Sequence, residues 1–324
     1  MKVKKPTVFI TRKLPTKIET RMMELFDTTL NETDVLLSEE QLINVFKTYE
    51  IIVPSIADKI SAKVLADSGE NLKLIANFGA GTDHINLEAA KNKNIIVTNS
   101  PGLLANDTAD LIMSLLLALP RRLYEGSKLV AEGNWNGWSP TKMLGKRIYG
   151  KRLGIIGMGR IGQAVAKRAK SFGISIHYHN RKQLPSDIEQ LFEATYWSSL
   201  DEMIKRMDII SINCPLNKDT KKLMSKERLE LMTKDSYLIN TSRSEIIDEE
   251  ALFYLLKNNK IAGAGLDVFR RQENGNSKLL EAPNTILIPH LGSATIEGRI
   301  EMGEKVIINI KTFIDGHNPP NRII

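Results

Sequence analysis

One cysteine in 324 residues, Cys214, has no second thiol to pair with, so an intramolecular disulfide framework and a cysteine-rich zinc site are both excluded. No metal site is expected. Long apolar runs are scarce as well. The greasiest stretch, residues 111–119, follows Asp110, is interrupted by Ser114 and is stopped by Pro120, well short of the roughly 20 residues a membrane span needs. It reads as a buried helix. The basic opening MKVKKPTVFITRK gathers only Val8, Phe9 and Ile10 into an apolar run, too few for the core of a signal peptide. A cytoplasmic location with no membrane partner is therefore expected. Nucleic-acid signatures are missing too: 45 basic against 38 acidic residues give a charge of +7, but apart from short patches such as 218–222 they are scattered. A field of that size suits small anionic substrates better than nucleic acid.

What is present is a chain with 42% hydrophobic residues, long enough to bury a sizeable core and to form two domains. Strand-like runs at residues 8–11, 51–53, 72–78 and 95–98 alternate with helical ones such as 17–26. A long helix follows, with Asn106 or Asp107 as its cap, and then a loop at 132–140. Further strands are expected at 209–213, 237–241, 261–269 and 285–288, and a last helix at 296–313. Such alternation argues for parallel sheets with crossover helices. The expected fold class is α/β: two Rossmann-like or flavodoxin-like domains with parallel sheets and an active-site cleft between them.

Residues 153–162 read LGIIGMGRIG. Leu153, Ile155 and Ile156 make a short apolar strand, and Gly157-Met158-Gly159-Arg160-Ile161-Gly162 turns into a helix carrying Ala164, Val165 and Ala169. In a dinucleotide-binding turn the first glycine permits the bend, the second lets backbone approach a pyrophosphate, and the third lets helix and strand pack closely. The helix N-terminus adds free N–H groups and partial positive charge. The next strand, residues 174–178, leads to Asn180-Arg181-Lys182. An NAD site usually places Asp or Glu at this tip for the ribose 2′-OH, whereas a 2′-phosphate is repelled by a carboxylate and favours Arg. NADP(H) is therefore expected over NAD(H), which remains possible. An exposed basic loop with no ligand would look the same in sequence.

Eight segments carry a wider resemblance: NFGAGTDHINLEAA (77–90), NDTADLIMSLLLALPRR (106–122), GNWNGWSP (133–140), LGIIGMGRIGQAVAKRA (153–169), CPLNKDT (214–220), INTSR (239–243), GAGLDVF (263–269) and PHLGSAT (289–295). In this order the chain resembles the D-isomer-specific 2-hydroxyacid dehydrogenase family, and within it the glyoxylate and hydroxypyruvate reductases. The resemblance implies a discontinuous substrate-binding domain, residues 1–100 plus 292–324, and a dinucleotide-binding Rossmann domain, residues 101–291. It also implies a homodimer, with Trp135 and Trp138 shaping a small substrate pocket across the dimer interface.

Residue roles follow from the same resemblance. Arg243, otherwise an unremarked surface cation, matches the arginine that grips the carboxylate and carbonyl of a 2-oxo acid. His290, otherwise as well read as structural, matches the general acid and base. The loop holding Ala80 and Gly81 matches the one that binds the substrate carboxylate through backbone N–H groups. The cofactor set comprises Thr108, Gly157, Gly159, Arg160, Ile161, Asn180, Arg181, Lys182, Cys214, Pro215, Thr220, Thr241, Asp267 and Gly292. Cys214 is read as a wall residue, and Asp267 equally well as a loop-ordering one.

The third catalytic position departs from the pattern. Relatives carry a glutamate five residues after the aspartate of the DVF segment, and here Gln272 stands there, with Glu273 next. Either residue could partner His290. A carboxylate raises the pKa of imidazole, whereas an amide orients the ring without full charge. The expected activity is reduction of glyoxylate, hydroxypyruvate or a similar short 2-oxo acid. The alternatives are a reductase of a bulkier 2-oxo or sugar acid, and a nucleotide-sensing binding protein with weakened catalysis, which Gln272 alone favours.

Overall fold

The computed structural model describes residues 5–102, 104–270 and 277–324. The chain divides into two compact units, Met1–Leu103 with Ala294–Ile324, and Leu104–Ser293.

In the first unit β1 (Thr7–Ile10), β2 (Asp27–Leu30), β3 (Ile51–Val53), β4 (Leu74–Ala76) and β5 (Ile96–Thr98) form a parallel sheet in the order β2-β1-β3-β4-β5. Helices α1 (Thr16–Leu25), α2 (Glu39–Thr48), α3 (Ala62–Ala66) and α4 (Leu87–Asn92) make the crossovers. β3 and β4 are buried at every residue. That is why they read as unbroken apolar runs rather than alternating ones. The C-terminal helix Ile296–Ile314 returns to this unit and packs on α1 through Gly303, where a Cβ would lie 2.5 Å from Ile18.

The second unit begins with α5 (Ala105–Ala118) and α6 (Leu123–Ala131). It continues through β6 (Arg152–Ile156), α7 (Arg160–Ser171), β7 (Ser175–His179), α8 (Ser186–Phe192), β8 (Thr195–Tyr196), α9 (Leu200–Ile204) and β9 (Ile209–Ile212). α10 (Lys226–Leu229), β10 (Tyr237–Asn240), α11 (Glu249–Lys257), β11 (Gly263–Leu266) and β12 (Thr285–Leu287) complete it. Its seven strands are all parallel, in the order β12-β11-β10-β9-β6-β7-β8. One apolar layer holds Met203, Leu238 and Leu252, and another holds Ile112, Leu116, Val165 and Ile176. Two parallel α/β sheets are thus the fold class the alternation predicts.

Three local features differ from expectation. The short strands β2 and β8 went unforeseen, because half-exposed DTTL and the two-residue TY carry little apolar signal. The long helix is two helices: α5 stops before Pro120, and Arg122 turns the chain at φ 53° before α6 starts. Neither Asn106 nor Asp107 caps α5, which starts at Ala105 behind Leu104. Asn106 instead accepts a hydrogen bond from Arg168 Nη2 at 3.3 Å, and Arg168 Nε meets Asp110 at 2.6 Å, tying α5 to α7.

In β7, half-buried His177 accepts the Trp197 indole N–H at Nδ1, 3.2 Å away. Burial, reinforced by the positive charge of Arg152, holds its pKa below the usual 6.5. The unfolded chain therefore takes up the proton first. The stability tied to neutral His177 is present above pH 6.5 and is lost as the pH falls through the lower folded value. Between pH 7 and pH 5 the melting temperature of His177→Gln is expected to drop less than that of the parent chain. Equal acid sensitivity in the two would rule His177 out as the source.

Candidate functional site

β6 and β9 lie side by side, yet the chain leaves β6 toward β7 on one side and β9 toward β10 on the other. Ligands of open α/β sheets bind at the carboxyl ends where strand order reverses in this way. Here a pocket of about 980 Å³ opens there. It brings together Gly157, Gly159, Arg160, Asn180, Arg181, Lys182, Cys214, Pro215 and Thr220, all anticipated from the sequence.

The three glycines have three distinct geometries. Gly157 sits at φ +95°, and a Cβ there would meet Cys214 N at 2.8 Å, so only glycine passes between the two strand ends. A Cβ on Gly162 would collide with the Gly157 carbonyl oxygen, so α7 packs directly against the turn. Gly159 differs: its Cβ position has nothing within 4 Å. Gly159 is also the N-cap of α7 and supplies no side-chain cap, leaving first-turn N–H groups for a ligand. Gln163, which the sequence reading missed, ties Met158 O from below at 3.2 Å.

At the tip of β7, Asn180 Oδ1 accepts the Met158 N–H at 2.8 Å, fastening the second strand to the glycine turn. Arg181 and Lys182 line the pocket, exposed, and neither meets a protein acceptor among the described residues. Asp219 is the opposing charge on the same wall. Burial pushes the Cys214 thiol up to about 11, so it is protonated at neutral pH and unsuited to nucleophilic work. The Thr220 hydroxyl is spent within its own turn, donating to Pro215 O at 2.6 Å. Ile161 packs partly buried against the apolar core, and Thr241 follows β10; neither lines this pocket.

A second group forms at the ends of β10, β11 and β12. Asn240 is fully buried and shapes the loop after β10, donating from Nδ2 to Arg243 O at 2.9 Å and accepting Ser242 N–H at 2.9 Å. Its own carbonyl accepts the Asp267 N–H at 2.9 Å. The Asp267 carboxylate accepts Leu291 N–H at 2.5 Å and Gly292 N–H at 2.9 Å, while Asp267 O accepts His290 N–H at 3.0 Å. That cage holds His290 at φ 55°, a strained backbone for a non-glycine residue. Burial pushes the Asp267 carboxyl up, and the two N–H groups and nearby His290 oppose the shift. Thr108 donates to Gly292 O at 2.9 Å. The side chains of Asp267 and Thr108 thus order the His290 loop. Gln272 and Glu273 lie outside the described residues.

In the first unit, buried Asn77 donates to Gly79 O at 3.1 Å and Gly81 O at 2.9 Å, and Asn99 donates to Ala80 O at 2.7 Å. With three successive carbonyls drawn inward, the Ala80 and Gly81 N–H groups have no acceptor among the described residues.

Residues 113–292 match the family described as "D-isomer specific 2-hydroxyacid dehydrogenase, NAD binding domain". A glyoxylate reductase of Thermococcus litoralis is 39% identical over 323 residues, covering 98% of this chain and 97% of the relative. The protein belongs to the D-isomer specific 2-hydroxyacid dehydrogenase family. Among solved structures, a D-isomer specific 2-hydroxyacid dehydrogenase from Polaromonas, described as putative, superposes with a TM-score of 0.92 at 34% identity, covering 98% of this chain and 99% of the other. The NADPH-dependent glyoxylate/hydroxypyruvate reductase of Sinorhizobium meliloti, in complex with NADP and malonate, gives a TM-score of 0.86 at 30% identity over 98% and 97%.

The pocket fits the nicotinamide dinucleotide of this dehydrogenase family. Open Gly159 and the uncapped α7 N-terminus suit a pyrophosphate, and Asn213 Oδ1, buried with no partner among the described residues, lines the same wall. Sequence reasoning missed Asn77, Asn99, Asn213 and Asn240. The available signal was an asparagine directly after a β-strand, as at 77, 99 and 213, or at its last residue, as at 240. Asp267→Asn leaves one acceptor for two N–H groups and is expected to lower unfolding stability by about 1–3 kcal/mol. Urea denaturation measures this, and an unchanged midpoint would show that the cage is not under load.

Proposed function

We propose that this dehydrogenase reduces a short 2-oxo acid, glyoxylate or hydroxypyruvate, to the D-2-hydroxy acid with NADPH. One observation carries the reading: Arg243, Asp267 and His290 follow three adjacent strands of the sheet whose other strand ends form the dinucleotide pocket. The names of the Thermococcus and Sinorhizobium relatives agree with it. A bound nicotinamide dinucleotide supplies the hydride for C2. Arg243 grips the carboxylate and carbonyl with its planar fork, which draws electron density toward the carbonyl oxygen. His290 gives its proton to the alkoxide that develops there, completing the hydroxyl. Ala80 and Gly81 are assigned to the substrate carboxylate through their N–H groups, and the unit containing them to substrate binding.

Preference for NADP(H) is assigned to the tip of β7. No carboxylate stands at position 180, and Arg181 and Lys182 are uncommitted cations that a 2′-phosphate can engage. Initial rates with NADPH and NADH against a panel of 2-oxo acids test both parts. Turnover of glyoxylate or hydroxypyruvate is expected, with kcat/KM for NADPH about tenfold or more above NADH, the worth of one charge-assisted contact. Equal use of NADH would sink the cofactor assignment. Turnover of no 2-oxo acid would favour a nucleotide-sensing binding protein, to which Gln272 points.

A homodimer is proposed from the surface of residues 123–149. α6 has no buried residue, and Tyr124, Val130, Trp135, Leu144 and Tyr149 are exposed, with Trp138 at 84%. Large apolar side chains left exposed this often along one segment suit an interface, and a second copy of the chain is the proposed partner. The parent chain is expected to sediment as a dimer and the double variant Trp138→Ser, Leu144→Ser as a monomer. A monomeric parent would refute the assignment.

A further inference from the structure

The loop that carries Arg181 and Lys182 is fastened at both ends by side-chain hydrogen bonds. At its start, Asn180 Oδ1 accepts Met158 N–H, and Tyr196 Oη donates to Asn180 O at 3.3 Å. At its far end, the Leu184 N–H donates to the hydroxyl of Tyr178 at 2.9 Å. That tyrosine is fully buried in β7, with its ring 5.3 Å from Tyr196. Its O–H donates in turn to Glu189 Oε1 at 2.5 Å, and Gln183 Nε2 donates to both Glu189 oxygens at 3.0 and 3.1 Å.

Glu189, on α8, lies close to a basic loop yet pairs with neither of its cations among the described residues. Both of its oxygens are occupied by neutral donors. The hydroxyl of Tyr178 is therefore a hinge pin: it accepts from the loop backbone and directs its proton to the carboxylate, so that Glu189 serves the loop's geometry instead of neutralising Arg181 or Lys182.

We propose that Tyr178 and Glu189 are positioning residues for cofactor selectivity, holding Arg181 and Lys182 unpaired and facing the pocket. The proposal rests on the assignment of NADP(H) preference to this loop. Neither residue touches the reacting atoms, so the effect falls on recognition of the 2′-phosphate and not on the chemical step.

Steady-state kinetics of the full-length protein with both cofactors give the test. Tyr178→Phe fills the same space but loses the acceptor for Leu184 and the donor to Glu189. It is expected to raise KM for NADPH about fivefold, the effect of one neutral hydrogen bond, with KM for NADH and both kcat values within about twofold. Glu189→Gln keeps an oxygen for Tyr178, and its KM for NADPH is expected to stay within about twofold of the parent value. Equal rises in both KM values, or none, in Tyr178→Phe would overturn the proposal. So would a lower KM for NADPH in Glu189→Gln, which would show an opposing charge at work rather than a clamp. A parent enzyme that does not prefer NADPH fails a different claim, the selectivity of the loop itself, and is seen before either variant is made.

Discussion

Two neighbouring strands whose chains depart in opposite directions bring their next residues almost into contact, and Gly157 is where this chain meets that demand. A side chain there would strike the backbone at Asn213 and Cys214, not a flexible tip that could move aside. With Gly157 at φ +95° the turn passes under Cys214, α7 starts at once, and the space above Gly159 stays open. The same crossing aims the helix N-terminus at that space. Pocket shape and pocket electrostatics therefore have a common origin.

Most of the remaining construction is done by short polar side chains near strand ends. Asn77, Asn180, Asn240 and Asp267 each bond backbone groups of a functional loop, or of its neighbour, so that other groups in those loops are left to a ligand. Asn77, Asn240 and Asp267 are almost wholly buried. Their burial is tolerated because they are hydrogen-bonded, and each costs about 1–3 kcal/mol to leave unsatisfied. His290 shows the force available: its left-handed backbone persists because Asp267 holds the histidine's own N–H and the next two.

The parts of this architecture that were legible in the sequence are those governed by local rules. Buried parallel strands announce themselves as apolar runs, as in IIV, LIA and YLIN, and a glycine turn between strand and helix has its own spacing. The half-exposed strands β2 and β8 gave no such pattern, since pairing at a sheet edge needs little apolar surface. The break after α5 was written as Pro120, but the second helix beyond it was hidden by having no buried face of its own. Asn106 resembled a cap until Arg168 of α7 claimed its side chain, and nothing near position 106 in sequence could reveal that. Partners of the site asparagines were opaque for the same reason, because they are set by which loops the sheet order brings together.

Within the second unit the six strand ends β6, β7, β9, β10, β11 and β12 divide into two sets. β6, β7 and β9 carry the dinucleotide pocket, while the loop of Arg243 and the cage of Asp267 and His290 follow β10, β11 and β12. The two sets meet where the Ser242 hydroxyl donates to the Cys214 carbonyl, joining the loop after β10 to the pocket wall. The tip of β7 lies two strands beyond β9, on the far side of β6 from that link, and residues without shared partners contribute to free energy nearly independently. Among the described residues, Asn180 at the β7 tip and Asp267 in the cage share no hydrogen-bond partner, so the coupling between the two sets runs through Ser242.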